Sequence, residues 1–281
     1  MLKDYIDIKS VCPETEIGLS TPRNPIRIEK HNEEYKLIQR NSNLDYTCHM
    51  NEFAEDFLSK IGDVDGFILK SKSPSCGIKD VKIYPKGSKY SIIKNGSGIF
   101  SKKIINSYSN IPIEDEGRLK NYVIRDEFLT RIFTINNLKS SNDIIDFHNK
   151  NLILLKSYSE NMVNELTNII NKDKINDIDI DLYKNKVHEI LCNKRTKINK
   201  LNTVKTIFEK YKDKLSQSEI ENYEKLLKLY ENQKIPHSAL LVAIKIYAIR
   251  FNDEDLLNQT FFNPYPESLI SISDSGKGRD L

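Results

Sequence analysis

The amino-acid sequence predicts an α/β domain built on a parallel, Rossmann-like strand layer, followed by an all-α domain. Three observations lead there. Over residues 1–117, where most of the glycine and proline lies, short apolar runs alternate with helix-spaced stretches. From about residue 118 the apolar residues recur at steps of three and four. The length, 281 residues, suits one large domain or two ordinary ones. The expected divisions are 1–120 for the α/β domain, 121–270 for the helical domain, and a flexible polar tail at 271–281.

Taken in order, residues 6–11 form the first apolar run, expected as a strand and ended by Cys12-Pro13. Proline stops it by removing a backbone donor and stiffening the turn. Residues 66–69 and 81–84 are the next two runs. Phe53, Phe57, Leu58 and Ile61 share helical spacing and predict a helix over 51–61. Gly96-Ser97-Gly98-Ile99-Phe100 reads as a glycine turn opening another helix. In the second half Phe128, Ile132 and Phe133 share a face, as do Leu152, Leu155, Tyr158 and Met162. Ile220, Tyr223, Leu227 and Tyr230 make a third such face. Ser238 is the expected N-cap of a helix reaching about residue 251, and Pro264 and Pro266 end the helical region.

Composition excludes several classes. Lys+Arg is 43 against 40 Asp+Glu, a net charge of +3, which argues against a strongly basic nucleic-acid protein. Four cysteines are too few for a disulfide scaffold at this length. The longest apolar run, residues 239–249, is interrupted by Lys245 and is too short to cross a bilayer. With no leader pattern at the start, a soluble cytoplasmic protein with reduced thiols is expected. Neither HxxxH, HExxH, GxSxG, P-loop nor GxGxxG appears, so zinc hydrolase, serine hydrolase, NTPase and dinucleotide readings lack support.

Two segments carry reactive side chains directly after apolar runs, where parallel-strand folds place ligands. The first is Cys12-Pro13-Glu14, which holds a carboxylate two residues from a thiol. Its competing reading is a buried cysteine at a strand end, with Glu14 capping the next turn. The second is Lys70-Ser71-Lys72-Ser73-Pro74-Ser75-Cys76-Gly77. Three hydroxyls, a thiol and two ammonium groups serve packing poorly and suit an anion or a metal. A solvated turn with an incidental cysteine is the alternative. Two thiols do not complete a metal site, because iron–sulfur clusters and structural zinc take more ligands. Cys48 is the third cysteine of this half, and Cys192 reads as helix packing in the other. Residues 181–214 carry ten Lys/Arg against four Asp/Glu, with Tyr183, Phe208 and Tyr211 interleaved. That stretch is either a contact surface for nucleic-acid phosphates or a solvated lysine-rich face.

The segments Val11-Cys-Pro-Glu-Thr-Glu-Ile-Gly-Leu-Ser-Thr-Pro-Arg23, Asp65-Gly-Phe-Ile-Leu-Lys-Ser-Lys-Ser-Pro-Ser-Cys-Gly77 and Gly96-Ser-Gly-Ile-Phe100 resemble the 2-thiouracil desulfidase (TudS) family. Ile111-Pro-Ile-Glu-Asp-Glu-Gly-Arg-Leu119 continues the likeness. The rest is similar to the YbgA family, through Phe147-His-Asn-Lys-Asn-Leu-Ile-Leu-Leu-Lys-Ser-Tyr-Ser159, Ile235-Pro-His-Ser-Ala-Leu240 and Gln259-Thr-Phe-Phe-Asn-Pro-Tyr-Pro-Glu-Ser-Leu269.

The resemblance implies a [4Fe-4S] cluster held by three cysteines, whose open iron binds the sulfur of a thiolated nucleobase such as 2-thiouracil. Cys12 and Cys76 match two of the ligands. Glu14 matches the family's acidic residue and is the expected proton-transfer group; Ser73 is the expected catalytic hydroxyl. Ser75 and Gly98 are expected at the substrate. The family's first strand, with its Cys-Leu-Leu-Gly-like motif and first ligand, has no counterpart here. Three explanations compete: a fragment or miscalled start, Cys48 as replacement ligand, or a domain without its cluster. The other function class is a non-catalytic nucleic-acid- or protein-binding module that uses the basic stretch, with Lys194, Arg195 and Lys197 at its centre.

Overall fold

A computed structural model of the chain describes residues 2–141 and 143–271. The chain divides into two units, one formed by residues up to Ile132 with the chain from Ser268 onward, the other by Phe133–Glu267. The expected tail at 271–281 falls, from residue 272, outside the described residues.

The first unit begins with a short 3-10 turn at Leu2–Asp4 and a single α-helical turn, α1 (Pro13–Glu16), followed by β1 (Ile26–His31), β2 (Glu34–Gln39) and β3 (Leu44–Asp45). Helix α2 (Thr47–Lys60), β4 (Phe67–Leu69), β5 (Val81–Pro85), β6 (Ile93–Gly96), α3 (Ile99–Ser107) and β7 (Ile113–Asp115) complete it. Helix α4 (Tyr122–Ser140) then carries the chain onward.

The α/β class holds, and so do the strands at 67–69 and 81–85 and the helix at 47–60. The sheet, however, is mixed rather than wholly parallel. Its five-stranded part runs β3-β2-β1-β5-β6, and only β1 with β5 is parallel there. The cause lies in a hairpin the hydrophobic pattern did not reveal. Asn32 takes φ 55°, a left-handed conformation that asparagine tolerates. It turns β1 directly back into β2, with His31 opposite Glu34. A second, two-stranded sheet pairs β4 with β7 in parallel, Phe67 opposite Ile113 and Leu69 opposite Asp115.

Residues 6–11 form no strand: Ile8 is exposed, and no ladder partner lies beside them among the described residues. An apolar run makes a strand only when a neighbouring backbone satisfies its amides. The core between α2 and α3 is aromatic, with Phe100 stacked on Phe53 at 5.7 Å and edge-on to Phe57 at 5.3 Å.

The second unit is helical throughout its described residues: α5 (Ile144–Lys156), α6 (Glu160–Ile170), α7 (Asp177–Cys192), α8 (Lys197–Glu209), α9 (Gln217–Glu231), α10 (His237–Arg250) and α11 (Glu254–Leu257). The all-α expectation holds. Caps explain the punctuation: Asp143, Ser159, Asn176 and Thr196 each accept an early backbone N–H through the side chain. Ser159 divides the face read through Leu152 and Met162 into two helices. Helix α10 begins at His237, one residue before Ser238, with Pro236 rather than Ser238 at the N-cap, where proline's missing N–H costs nothing. Tyr183, Val187, Ile190, Val204, Tyr223 and Ile244 are fully buried. Cys192, expected as packing, is exposed at the end of α7, where the chain leaves the core.

One buried group gives this unit a pH dependence. The Nε2 atom of His237 is buried and has no hydrogen-bond partner among the described residues. Burial, with Lys200 and Arg195 nearby, pushes its imidazole down to about 3. In the unfolded chain it titrates near 6.5. A depressed imidazole pKa means that only the unfolded chain takes up the proton as pH falls below about 6.5, so stability is lost on acidification. Between pH 7.5 and 5 the expected loss is about 2 kcal/mol. Urea unfolding followed by circular dichroism should show it, and His237→Gln should remove that component. An unchanged pH slope in the variant would contradict the assignment.

Candidate functional site

Because β4 and β7 are parallel, their carboxyl ends lie side by side. The 70–77 loop leaves β4 there, and Glu116 follows β7. Lys70 Nζ meets Glu116 Oε1 at 2.6 Å, and the Ser71 N–H donates to Oε2 at 2.8 Å. The far end of the loop closes on itself. The Ser73 hydroxyl oxygen accepts from the N–H of Ser75 at 3.2 Å and of Cys76 at 3.1 Å.

The start of α3 grips this loop from behind. Gly98 N–H donates to the Gly77 carbonyl at 2.8 Å, Ile99 N–H to Pro74 at 3.1 Å and Ser101 N–H to Ser75 at 3.0 Å. A Cβ on Gly98 would stand 2.3 Å from the Ser75 carbonyl oxygen. Glycine is needed here for close approach of two backbones.

The other wall is α1. Cys12 occupies its N-cap, and Pro13 takes the first helical position, where its fixed φ is favourable. One turn then carries Glu14 toward the loop. Glu14 Oε1 accepts the hydroxyls of Ser73 at 3.1 Å and Ser75 at 3.0 Å. Its Oε2 pairs with Arg23 Nε at 3.0 Å. Arg23 also donates to Thr15 Oγ1 at 3.4 Å and to Cys12 Sγ at 3.5 Å. Two sequence-distant motifs thus form one network of Cys12, Glu14, Arg23, Ser73 and Ser75, with Cys76 on the same loop.

The two thiols differ electrostatically. At Cys12 burial opposes the thiolate, but hydrogen bonds from the Thr15 side chain and backbone and from Arg23 outweigh it, and the thiol falls below its ordinary range. Cys76 is buried; that burial, with the Glu14 carboxylate nearby, pushes it up to about 12. Cys12 adds to the same upward push.

The structure therefore brings Cys12, Glu14, Ser73, Ser75 and Cys76 together. Gly98 adjoins them through its backbone contact with Ser75 and Cys76. The expected inward-facing hydroxyls are present, but those of Ser73 and Ser75 face the protein's own carboxylate, Glu14, and the loop's first ammonium meets Glu116. Arg23, Thr15 and Glu116 were missed as site residues. Arg23 stood inside a quoted motif, yet no helical or strand period links position 23 to positions 12 and 14.

A four-iron cluster with one open iron takes a ligand on each of the other three irons. Among the described residues no three His, Cys, Asp or Glu side chains are arranged to hold a metal ion. All four cysteines are described; Cys48 and Cys192 are exposed on α2 and α7 and do not join the site. Two sulfur donors alone do not fit a complete cluster. In the second unit, Tyr183, Phe208 and Tyr211 of the basic stretch are buried core residues. Lys186, Lys205 and Lys212 pair with Glu165, Glu231 and Glu209.

Residues 1–116 match the family described as 2-thiouracil desulfurase, and residues 153–266 match a protein family of unknown function, DUF1722. The chain carries a domain of the desulfurase family followed by one of the DUF1722 family, the YbgA-like one. No curated protein and no solved structure matches it. No helix among the described residues is long and apolar enough to cross a membrane.

Proposed function

We propose that the first unit is a desulfidase-type site for thiolated pyrimidines such as 2-thiouracil. The observation that carries this reading is the single carboxylate, Glu14, that receives both loop hydroxyls while Arg23 joins it to Cys12. The reaction is hydrolytic and redox-neutral. The oxygen of one water becomes the ring carbonyl, the carbon–sulfur bond breaks, and the water's two protons leave with the sulfur as hydrogen sulfide.

In this reading Glu14 moves the proton between water and the leaving sulfur or ring nitrogen. Ser73 orients the substrate or relays that proton, and the Ser75 and Gly98 segment forms the backbone wall beside the base. Arg23 holds the carboxylate in place. Cys12 and Cys76 would supply two of the three ligands of a [4Fe-4S] cluster, which would contribute Lewis-acid activation of sulfur. The two thiols by themselves leave such a cluster one ligand short.

The test is anaerobic reconstitution with iron and sulfide, with a phosphine as reductant, reading bound iron and visible charge-transfer absorption. The chain alone should bind little iron. Adding a small monothiol as third ligand should raise it, and Cys12→Ala or Cys76→Ala should abolish the gain. Full cluster loading without added thiol, or loading that survives both substitutions, would overturn the ligand assignment. The alternative, a nucleic-acid module through 181–214, has lysine charge alone to draw on, since the interleaved aromatics are buried.

A further inference from the structure

The helical unit contains a cleft of about 420 Å³, within the size range of small-molecule sites. It lies among α5, α8 and α11. Its apolar floor is Leu152, Ile153, Ile207 and Leu256. The polar groups around that floor divide into engaged and open ones.

Gln259 is engaged at both ends: its Oε1 accepts from Ile153 N–H at 3.0 Å, and its Nε2 donates to the Asn149 carbonyl at 2.6 Å. Asn199 likewise donates to the Tyr158 carbonyl at 2.9 Å and accepts from Thr196 at 2.8 Å. These two fix the walls. Thr203 and Thr206 donate their hydroxyl protons one turn back, to the Asn199 and Asn202 carbonyls, which leaves their lone pairs open. The side chains of Lys156, Glu160, Asn202, Lys210 and Asp255 line the cleft and make no ion pair or hydrogen bond among the described residues.

The open charges balance, two ammonium groups against two carboxylates. Lys156 ends α5 and Glu160 begins α6 across one short turn. Tyr211, next to Lys210, donates to Asp253 at 2.6 Å and so ties the end of α8 to the start of α11, which carries Asp255. A ligand with net charge gains little in such a field, and a zwitterion finds no separated poles. A hydroxyl group donates and accepts at once, so it can satisfy a carboxylate and an ammonium side by side.

We propose that this cleft binds an uncharged, hydroxyl-bearing small molecule with one apolar face, a nucleoside or a free sugar. The inference does not rest on the desulfidase reading, because it concerns the other unit and direct binding.

The experiment is isothermal titration of the full chain with uridine, D-ribose, uracil, glycine and uridine 5′-monophosphate. Uridine should bind, and Asp255→Ala should weaken it by at least about tenfold, the effect of removing a charged hydrogen-bond partner. Circular dichroism should stay unchanged in that variant, since the Asp255 side chain makes no hydrogen bond or ion pair among the described residues. Ribose binding as well as uridine identifies the sugar as the recognised part; ribose failing while uridine binds identifies a nucleoside. Both outcomes support the cleft. It is overturned if neither binds at millimolar concentration, or if glycine or the monophosphate binds more tightly than uridine. Uridine binding that survives Asp255→Ala but is lost in Glu14→Ala would place the site in the first unit and overturn it equally.

Discussion

Substituting Gly98 with alanine should destabilise the first unit by about 3 kcal/mol and displace the loop that carries Ser73, Ser75 and Cys76. The added Cβ would lie 2.3 Å from the Ser75 carbonyl oxygen and 2.4 Å from its carbon, far inside contact distance. Neither backbone can yield easily. Gly98, Ile99 and Ser101 each donate an N–H into the loop, and the Ser101 hydroxyl adds a bond of 2.6 Å to the Gly77 carbonyl. Gly98 itself has φ −69°, an ordinary value, so the cost is steric rather than conformational. Stiffening the unfolded chain by a glycine-to-alanine change returns only about 0.4–1 kcal/mol, too little to offset it. Two measurements check this. The urea midpoint should fall, and in a background where Cys12, Cys48 and Cys192 are alanine, alkylation of the now-uncovered Cys76 should accelerate. An unchanged midpoint with Cys76 still protected would show that the loop and α3 are not pressed together as described.

The second large effect is expected in the helical core. Phe208→Ala should cost about 4 kcal/mol, within the range for emptying a buried aromatic site. Phe208 is buried and stacks on Tyr223 at 4.3 Å with 24° between the rings, and Tyr247 lies at 6.4 Å. Its loss removes one ring of a three-ring cluster that joins α8, α9 and α10. Helix carries the signal, so urea unfolding by circular dichroism reads it directly. Phe208→Leu should lose markedly less, because most of the volume remains. A loss below about 1 kcal/mol in Phe208→Ala would mean that the neighbouring helices collapse into the vacated space. The same experiment bears on the basic stretch, since a residue that holds the core cannot also stack on a base.

Local chemistry was legible wherever the deciding interaction is short in sequence. Cys12-Pro13-Glu14 announced a turn carrying a thiol and a carboxylate, and it is one. The steps of Tyr223, Leu227 and Tyr230 matched a buried helix face. The hydroxyl-rich loop after 67–69 was singled out because its composition suits packing poorly, and it forms half of the network. The hairpin at Asn32 escaped because its strands alternate weakly, with Glu29 and Gln39 buried and Tyr35 exposed. The missing strand at 6–11 escaped for the opposite reason: its apolar character was real, but strand formation depends on a partner that residue pattern does not encode.

By itself, then, the order of residues determined the two-part α/β and all-α plan and the two motifs in which the reactive groups sit, because backbone punctuation and hydrophobic period act over a few residues. Tertiary structure alone decided that Glu14 accepts from Ser73 and Ser75, that Arg23 ties that carboxylate to Cys12, and that Cys48 stays outside. Those relations depend on the parallel pairing of β4 with β7 and on the grip of α3 on its loop. The contacts of Glu14 with Ser73 and Ser75 join residues 59 and 61 positions apart, for which hydrogen-bond distance, not sequence period, is the governing quantity.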